Sequence, residues 1–267
     1  MNTEVYEFHE GRLPLLVSIP HLGTEIPDDV RVQLTDVAGA VADTDWHLDM
    51  LYDFARSAGA SVLGAKISRY VIDLNRPSTG ESLYPGQTTT GLCPTETFRG
   101  EALYRNGVGP SEADKAQRLE RYWQPYHAKL RAELARLTSI HGHVLLWEAH
   151  SIASILPRLF EGKLPDLNLG THSGLSCDPC IIEAVTTSLA GQPFTWVHNG
   201  RFKGGFITRE YGRPEHGVHA IQLEMCQSTY MSETAPFEYR SELATKVKPV
   251  VQGMLDAALA ALRRLQQ

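Results

Sequence analysis

The chain has 267 residues, 42% of them hydrophobic and 21% charged, with a formal net charge of −6. This is an ordinary composition for a soluble globular protein, and the length suits one large α/β domain with a substantial core. An acidic balance with no Lys/Arg run argues against nucleic-acid binding, no apolar run is long enough to span a bilayer, and the polar start Met1-Asn2-Thr3-Glu4-Val5 lacks the features of a secretion signal, so a cytoplasmic protein is expected.

In chain order, residues 13–19 read as a buried strand ended by Pro20 and Gly23. Residues 45–58 carry Trp46, Met50, Leu51, Phe54 and Ala55 at helical spacing. Asp43 or Thr44 stands where a cap belongs and Gly59 lies just past the end. Residues 61–66 and 69–74 read as two strands or one bent strand. Residues 77–110 are dense in Gly, Pro and Thr; a long irregular excursion of this kind inside a compact domain is usually functional. A helical stretch follows over 111–138, with Pro125 placed to kink or split it. Then come a strand at 143–148, a loop-rich region at 152–180, a short helix at 181–190 and a short strand at 194–197. The Gly-rich basic loop Asn199–Gly205 precedes a strand at 218–225 and an Ala/Leu-rich helix at 238–266. Alternation of strands and helices predicts a single α/β domain over 1–267, three layers deep, with a mostly parallel or mixed twisted sheet covered by helices on both faces.

Four cysteines occur, at 93, 177, 180 and 226. Cys177-Asp178-Pro179-Cys180 has the C-x-x-C form, but no second pair accompanies it, so reduced loop thiols are expected.

Three apolar runs stop on polar groups: Val17-Ser18-Ile19-Pro20-His21, Val71-Ile72-Asp73-Leu74-Asn75-Arg76 and Val144-Leu145-Leu146-Trp147-Glu148-Ala149-His150. Ligand sites in open α/β sheets lie beyond the carboxyl ends of the strands, so these groups are expected to meet at one edge. A lone histidine after a strand is usually a capping residue. Two of them at one edge suggest shared metal ligation, because neutral imidazole is the commonest zinc ligand. A catalytic zinc takes three protein ligands, and Glu25, Asp43, Asp45 and Asp49 are candidates for the third. Asp45 is favoured, as the residue expected in the first helical turn at that edge; Asp49, one turn on, suits a supporting contact to a ligand. Glu224 alternates with Ile221 and Leu223 and shares a face with Gln222; a carboxylate in so apolar a strand is costly unless it is paired or working, and near zinc it suits a general base. Arg76 offers a bidentate fork for a carboxylate, Asn75 suits substrate orientation, and Arg201, Lys203 and Arg209 bracket the Gly-rich loop. The inferred ligand is a small anionic molecule with two carboxylates.

With these residues in hand, the chain resembles the N-formylglutamate amidohydrolase (deformylase) family over nearly its full length. The resemblance is carried by Ser18–His21, Asp43-Thr44-Asp45-Trp46-His47, Ser68–Pro77, Leu83-Tyr84-Pro85-Gly86-Gln87, Tyr122–His127, Ala149-His150-Ser151-Ile152, Pro157–Gly162, Asn199–Gly205 and Gln222-Leu223-Glu224. More distantly it is similar to zinc carboxypeptidases and to acylases of N-acyl aspartate and glutamate. That likeness implies a carboxypeptidase-like fold, one zinc per chain, an Asn-Arg pair for a substrate carboxylate (Asn75-Arg76) and a catalytic Glu on a late strand (Glu224). The wider group places a Glu ligand three residues after the first His; position 24 here is Thr, which keeps Asp45 as the third ligand beside His21 and His150. Glu148 stands where Asp is expected before Ala-His-Ser, with the charge kept. The implied reaction is hydrolysis of N-formyl-L-glutamate to formate and glutamate in histidine degradation. The alternatives are a deacylase of another N-acyl amino acid and a non-catalytic binding protein on the same fold.

Overall fold

A computed structural model describes residues 4–83, 86, 89–105 and 107–265. Tyr84, Pro85 and Gln87 of the Leu83–Gln87 block, and the last residue of the expected terminal helix, lie outside them. Seven strands, β1 (Tyr6–His9), β2 (Leu15–Ile19), β3 (Ser61–Ala65), β4 (Val144–Ile152), β5 (Leu167–Gly170), β6 (Trp196–His198) and β7 (Val218–Cys226), form one sheet in the order β1-β3-β2-β4-β7-β5-β6. The pairs β2–β3, β2–β4, β4–β7 and β5–β6 are parallel; β1–β3 and β5–β7 are antiparallel. The expected α/β fold with a mixed sheet is what forms.

All nine residues of β4 are buried, which explains its unbroken apolar start: a strand covered on both faces has no solvent side to keep polar. Alternation still divides its neighbours. Leu15, Val17, Leu145, Trp147, Ile221 and Leu223 pack with helices Asp53–Ala58, Pro179–Ser188 and Ser241–Arg264. Leu16, Val144, Leu146 and Ala220 pack on the other face with Tyr126, Leu130, Leu134 and Leu137 of helix Gln124–His141.

Several elements depart from the expected pattern. The helix expected over 45–58 is two short pieces, Leu48–Leu51 and Asp53–Ala58. His47 takes a left-handed φ of 61° and binds Phe237 O through Nε2 at 2.7 Å, so the chain turns helical only at Leu48. Asp45 is therefore in the loop before the helix, and Met50 faces solvent. Residues 69–74 make turns, not a strand. β4 runs four residues beyond its expected end and carries His150 inside it. β5 formed where loop was expected, and the helix Phe206–Tyr211 follows the Gly-rich loop in a stretch for which no element was expected. Between Glu112–Arg118 and Gln124–His141 the chain makes a π-turn, Leu119–Trp123. Pro125 follows it in the first turn of the next helix, where its missing N–H costs little.

Candidate active site

Polar groups gather where the even-numbered face of the sheet reaches its carboxyl end. Leu16, Leu146 and Ala220 give way along their strands to Ser18, to Glu148 and His150, and to Gln222 and Glu224, all buried. Parallel register sets Ser18 opposite Glu148, Glu148 opposite Gln222 and His150 opposite Glu224. β2 stops at Ile19, so the ends of β4 and β7 overhang it, and His21 lies in the turn just after β2.

His21 and His150 face each other with ring centroids 5.0 Å apart. Asp45 Oδ2 lies 3.6 Å from His21 Nδ1 and 3.0 Å from His150 Nδ1. Among the described residues, His21, Asp45 and His150 form a set whose ligand atoms all lie within 4.8 Å of one another, all buried. On its far side His21 Nε2 meets Asp73 Oδ1 at 2.7 Å; His150 Nε2 meets Glu148 Oε2 at 3.2 Å and Asn75 Nδ2 at 3.1 Å. A carboxylate only accepts, so Nε2 of His21 carries its proton and the Nδ1 lone pair faces another carboxylate, Asp45. That is the arrangement by which carboxylates orient histidine metal ligands. Asp73 and Glu148, not Asp49, take the supporting position; Asp49 is exposed, as is Glu25.

A divalent cation fits this donor set. Asp45, Asp73, Glu148 and Glu224 bring four buried carboxylates to the imidazole pair. Among the described residues, Asp45 Oδ1 and Glu148 Oε1 have no hydrogen-bond partner, although Arg69 Nη1 lies 3.8 Å from the former. Burial works against the charged form of His150, yet hydrogen bonds to Asp45 and Glu148 push its pKa up to about 10. For Asp45, burial is outweighed by the bonds to His150 and His21, which hold it well below the ordinary carboxylate range. Glu224 goes the other way: burial, reinforced by the negative charge of Asp45, pushes it up. Each imidazole Nδ1 thus faces concentrated negative charge that a cation between them would balance.

Two loop residues are clamped on both sides by distant parts of the chain. Around Asp45, Gln227 Nε2 donates to Thr44 O at 3.0 Å and the Tyr230 hydroxyl to Trp46 O at 2.9 Å, while Asp45 N donates to His21 O at 3.0 Å. Around Asn75, His127 Nε2 donates to Leu74 O at 2.9 Å and Trp123 Nε1 to Arg76 O at 3.0 Å. His127 and Trp123 stack at 3.7 Å, and both emerge from the π-turn and the helix after it; such turns recur at functional sites. Burial keeps His127 neutral, its pKa lowered to about 3.

The cavity above the histidines, about 80 Å³, is lined by His21, His150 and Glu224, by Arg69, Arg76 and Arg201, and by Asn75, Phe98, Gly205 and Gln222 among others. Thr89, Thr90 and Phe98 come from the long excursion, which thereby contributes to the site as its length suggested. Arg76 is braced by Thr90 O at 2.9 Å and Asn75 O at 3.1 Å. Arg201 contacts Leu159 O and lies beside Phe202. Arg209 is not among the described lining residues; its Nε donates to Gly204 O at 2.8 Å and its Nη1 to Leu83 O at 3.2 Å, so it holds the Gly-rich loop from behind. At Gly205 that loop comes so close that a Cβ would lie 2.3 Å from Asn75 Nδ2, and Gly205 N donates to Gln222 Oε1 at 2.7 Å. Arg69 escaped the sequence reading. It is buried, pairs with Asp73 Oδ2 at 2.8 Å and lies 4.7 Å over the Phe98 ring. Its signal in the sequence was its place in the Ser68–Pro77 block, six residues before Asn75.

The remaining motifs lie elsewhere. Cys93, Cys177, Cys180 and Cys226 are free. Contrary to expectation the C-x-x-C does open a helix, Pro179–Ser188, yet burial raises both thiols, Cys180 to about 11, so neither is a poised thiolate. No helix among the described residues is long and apolar enough to cross a membrane.

Comparison with known proteins identifies the family. The family model described as N-formylglutamate amidohydrolase matches residues 13–231. The chain is 52% identical over 258 residues to an N-formylglutamate deformylase of Pseudomonas putida, with 96% of each chain covered. It is 51% identical over 260 residues to one of Pseudomonas aeruginosa, covering 96% of this chain and 97% of that one. A crystal structure of N-formylglutamate amidohydrolase from Ralstonia eutropha superposes with a TM-score of 0.81 at 25% identity, over 97% of this chain and 99% of that one. A product of Agrobacterium tumefaciens shares the fold, with a TM-score of 0.75 at 15% identity over 98% and 97% of the two chains. Sequence, fold and the histidine–carboxylate edge of the sheet converge, and the chain belongs to the N-formylglutamate amidohydrolase family.

Proposed function

We propose that this chain acts as one catalytic domain, a metal-dependent deformylase that hydrolyses N-formyl-L-glutamate to formate and L-glutamate, the step in histidine degradation that the family resemblance implies. The observation that carries the reading is the convergence of His21, Asp45 and His150 with Glu224 in one small cavity walled by guanidinium groups. The names of the Pseudomonas relatives point to the same substrate.

A divalent ion such as zinc, one per chain and held by His21, Asp45 and His150, would supply Lewis acidity there, polarising the formyl carbonyl and acidifying a water. Asp73 fixes the tautomer of His21, and Glu148 lies beside Asn75 against Nε2 of His150. Arg76, braced so that its fork is preset, receives the substrate's α-carboxylate, with Asn75 orienting it; Arg201 receives the side-chain carboxylate. Arg209 contributes by holding the Gly-rich loop. Glu224, directly across the strand pair from His150, takes the proton from the attacking water and passes it to the departing nitrogen. Arg69, beside Asp45 and facing the cavity, stabilises the charge that develops on the carbonyl oxygen.

Formate release from N-formyl-L-glutamate, measured beside N-acetyl- and N-formyl-aspartate and N-acetylglutamate, tests the reading. Preference for N-formyl-L-glutamate by kcat/KM supports it; turnover confined to another member of the panel, or none, overturns it.

A further inference from the structure

Next to the active cavity lies a larger one, about 340 Å³, whose lining includes Asp43, Leu156, Glu233 and Phe237. The two share Phe98, Ser151 and Ile152 as a common wall. Ser151 and Ile152 are the last two residues of β4 and are fixed by the sheet. Phe98 alone of the three comes from the long excursion. Its backbone N–H donates to Asp43 Oδ2 at 2.8 Å, and its ring lies under Arg69.

We propose that Phe98 is the acyl-size gate of this enzyme: its ring closes the active cavity against the adjoining one and so limits the acyl group to formyl. The inference rests on the deformylase reading and adds the residue that sets its acyl preference. The scissile carbonyl has to lie against the triad, with the glutamate portion running toward Arg76 and Arg201, so the acyl substituent points away from them. Phe98 stands on the Asp45 side of the triad. Its backbone is tied to Asp43, two residues before Asp45, and its ring is covered by the arginine that approaches Asp45 to 3.8 Å. Formyl carries only hydrogen beyond its carbonyl carbon, whereas a longer acyl chain would run into the Phe98 ring, which lines the cavity. Behind that ring there is room. The acids of the second cavity are engaged by backbone amides, Asp43 with Phe98 N and Glu233 with Ser154 N and Ser228 N, and beside the polar Arg99, Gln227 and Thr234 its lining offers Ile152, Leu156 and Phe237 as apolar surface for an acyl chain.

The test compares kcat/KM for N-formyl-, N-acetyl- and N-butanoyl-L-glutamate in wild type, Phe98→Ala and Phe98→Leu. Loss of the ring also removes the stack on Arg69, so formyl turnover falls in both variants and the readout is the ratio between substrates. The ratio of butanoyl to formyl should rise at least about tenfold in Phe98→Ala, with Phe98→Leu intermediate, since a methylene in an apolar pocket discriminates by about 10- to 200-fold. Phe98→Leu keeps an apolar side chain at the wall and decides the matter if Phe98→Ala fails to fold. Unchanged ratios in a variant that still releases formate would overturn the gate while leaving the deformylase reading intact. A wild type that takes butanoyl as readily as formyl overturns the gate as well, and one with no activity on N-formyl-L-glutamate overturns the reading on which it rests.

Discussion

Two pairs of histidines occupy opposite edges of the central strands, and they behave in opposite ways. His21 and His150 lie at the carboxyl ends of β2 and β4; His143 and His219 lie at the amino ends of β4 and β7. The second pair is as close as the first, with ring centroids 5.3 Å apart, but its rings stack and bond one another, His143 Nδ1 to His219 Nε2 at 3.0 Å. His219 Nδ1 accepts from the backbone N–H of Asp178 at 3.2 Å, so Nε2 carries the proton that His143 receives. Burial and the neighbouring His143 lower its pKa to about 4, whereas the carboxylates around His150 push that residue up to about 10. Proximity of two imidazoles therefore does not by itself assemble a set of donors for a cation. What distinguishes the first pair is a carboxylate between the rings and further carboxylates behind them, which concentrate negative charge on the imidazoles.

The largest effect is expected from breaking the first pair and sparing the second. His150→Ala or His21→Ala should lose the bound metal and reduce formate release to background. His143→Ala should keep both metal content and turnover. Metal analysis of the three variants beside a turnover assay checks this; equal losses at both edges would erase the contrast.

Next comes Glu224→Gln, which keeps the size of the side chain and removes its ability to take a proton. It should retain fold and metal and lose about 10²–10⁴ in kcat, the usual scale for general acid–base catalysis, with KM little changed. Loss of the metal in this variant would make Glu224 a ligand.

Arg76→Ala should act mainly on KM. Losing a charge-assisted bond of about 1.5–3 kcal/mol corresponds to about 10- to 150-fold in kcat/KM. A pure kcat effect would move Arg76 away from the carboxylate.

How much of this was legible beforehand follows from what positions each residue. His150, Gln222 and Glu224 sit on strands, so strand period and apolar runs placed them, even though β4 outran its expected end. Asp45 was picked from a helix that does not extend to it. Its location depends on Gln227 and Tyr230, more than 180 positions away in sequence, and no local pattern encodes such contacts. The carboxylates of Asp73 and Glu148 stood in the quoted blocks, but their work in backing the imidazoles emerges only once β2 and β4 pair. Residues 69–74 read as a strand because Val71, Ile72 and Leu74 are apolar. They fold as turns because Leu74 O and Arg76 O are taken by His127 and Trp123 and not by a neighbouring strand.

That second clamp yields the smallest predicted effect. His127 is neutral in the folded protein down to about pH 3, against an ordinary value of 6.5. Below pH 6.5 the unfolded chain binds a proton that the folded one refuses, so this residue costs stability progressively as pH falls from 6.5 toward 3 and has little effect above that window. His127→Gln lacks the titrating group. Whatever its stability deficit at pH 7, that deficit should shrink by about 2 kcal/mol at pH 5 in urea titrations. A constant difference between the two pH values would mean that His127 is protonated in the fold.

The central claim is that the His21–Asp45–His150 edge works through a bound divalent ion. Its most direct test is formate release from N-formyl-L-glutamate by enzyme stripped with a chelator and then titrated with zinc. The account predicts no turnover in the stripped protein and recovery that saturates at one ion per chain, with no recovery in His150→Ala. Full turnover by rigorously metal-free enzyme, or saturation unaffected by loss of His150, would contradict it.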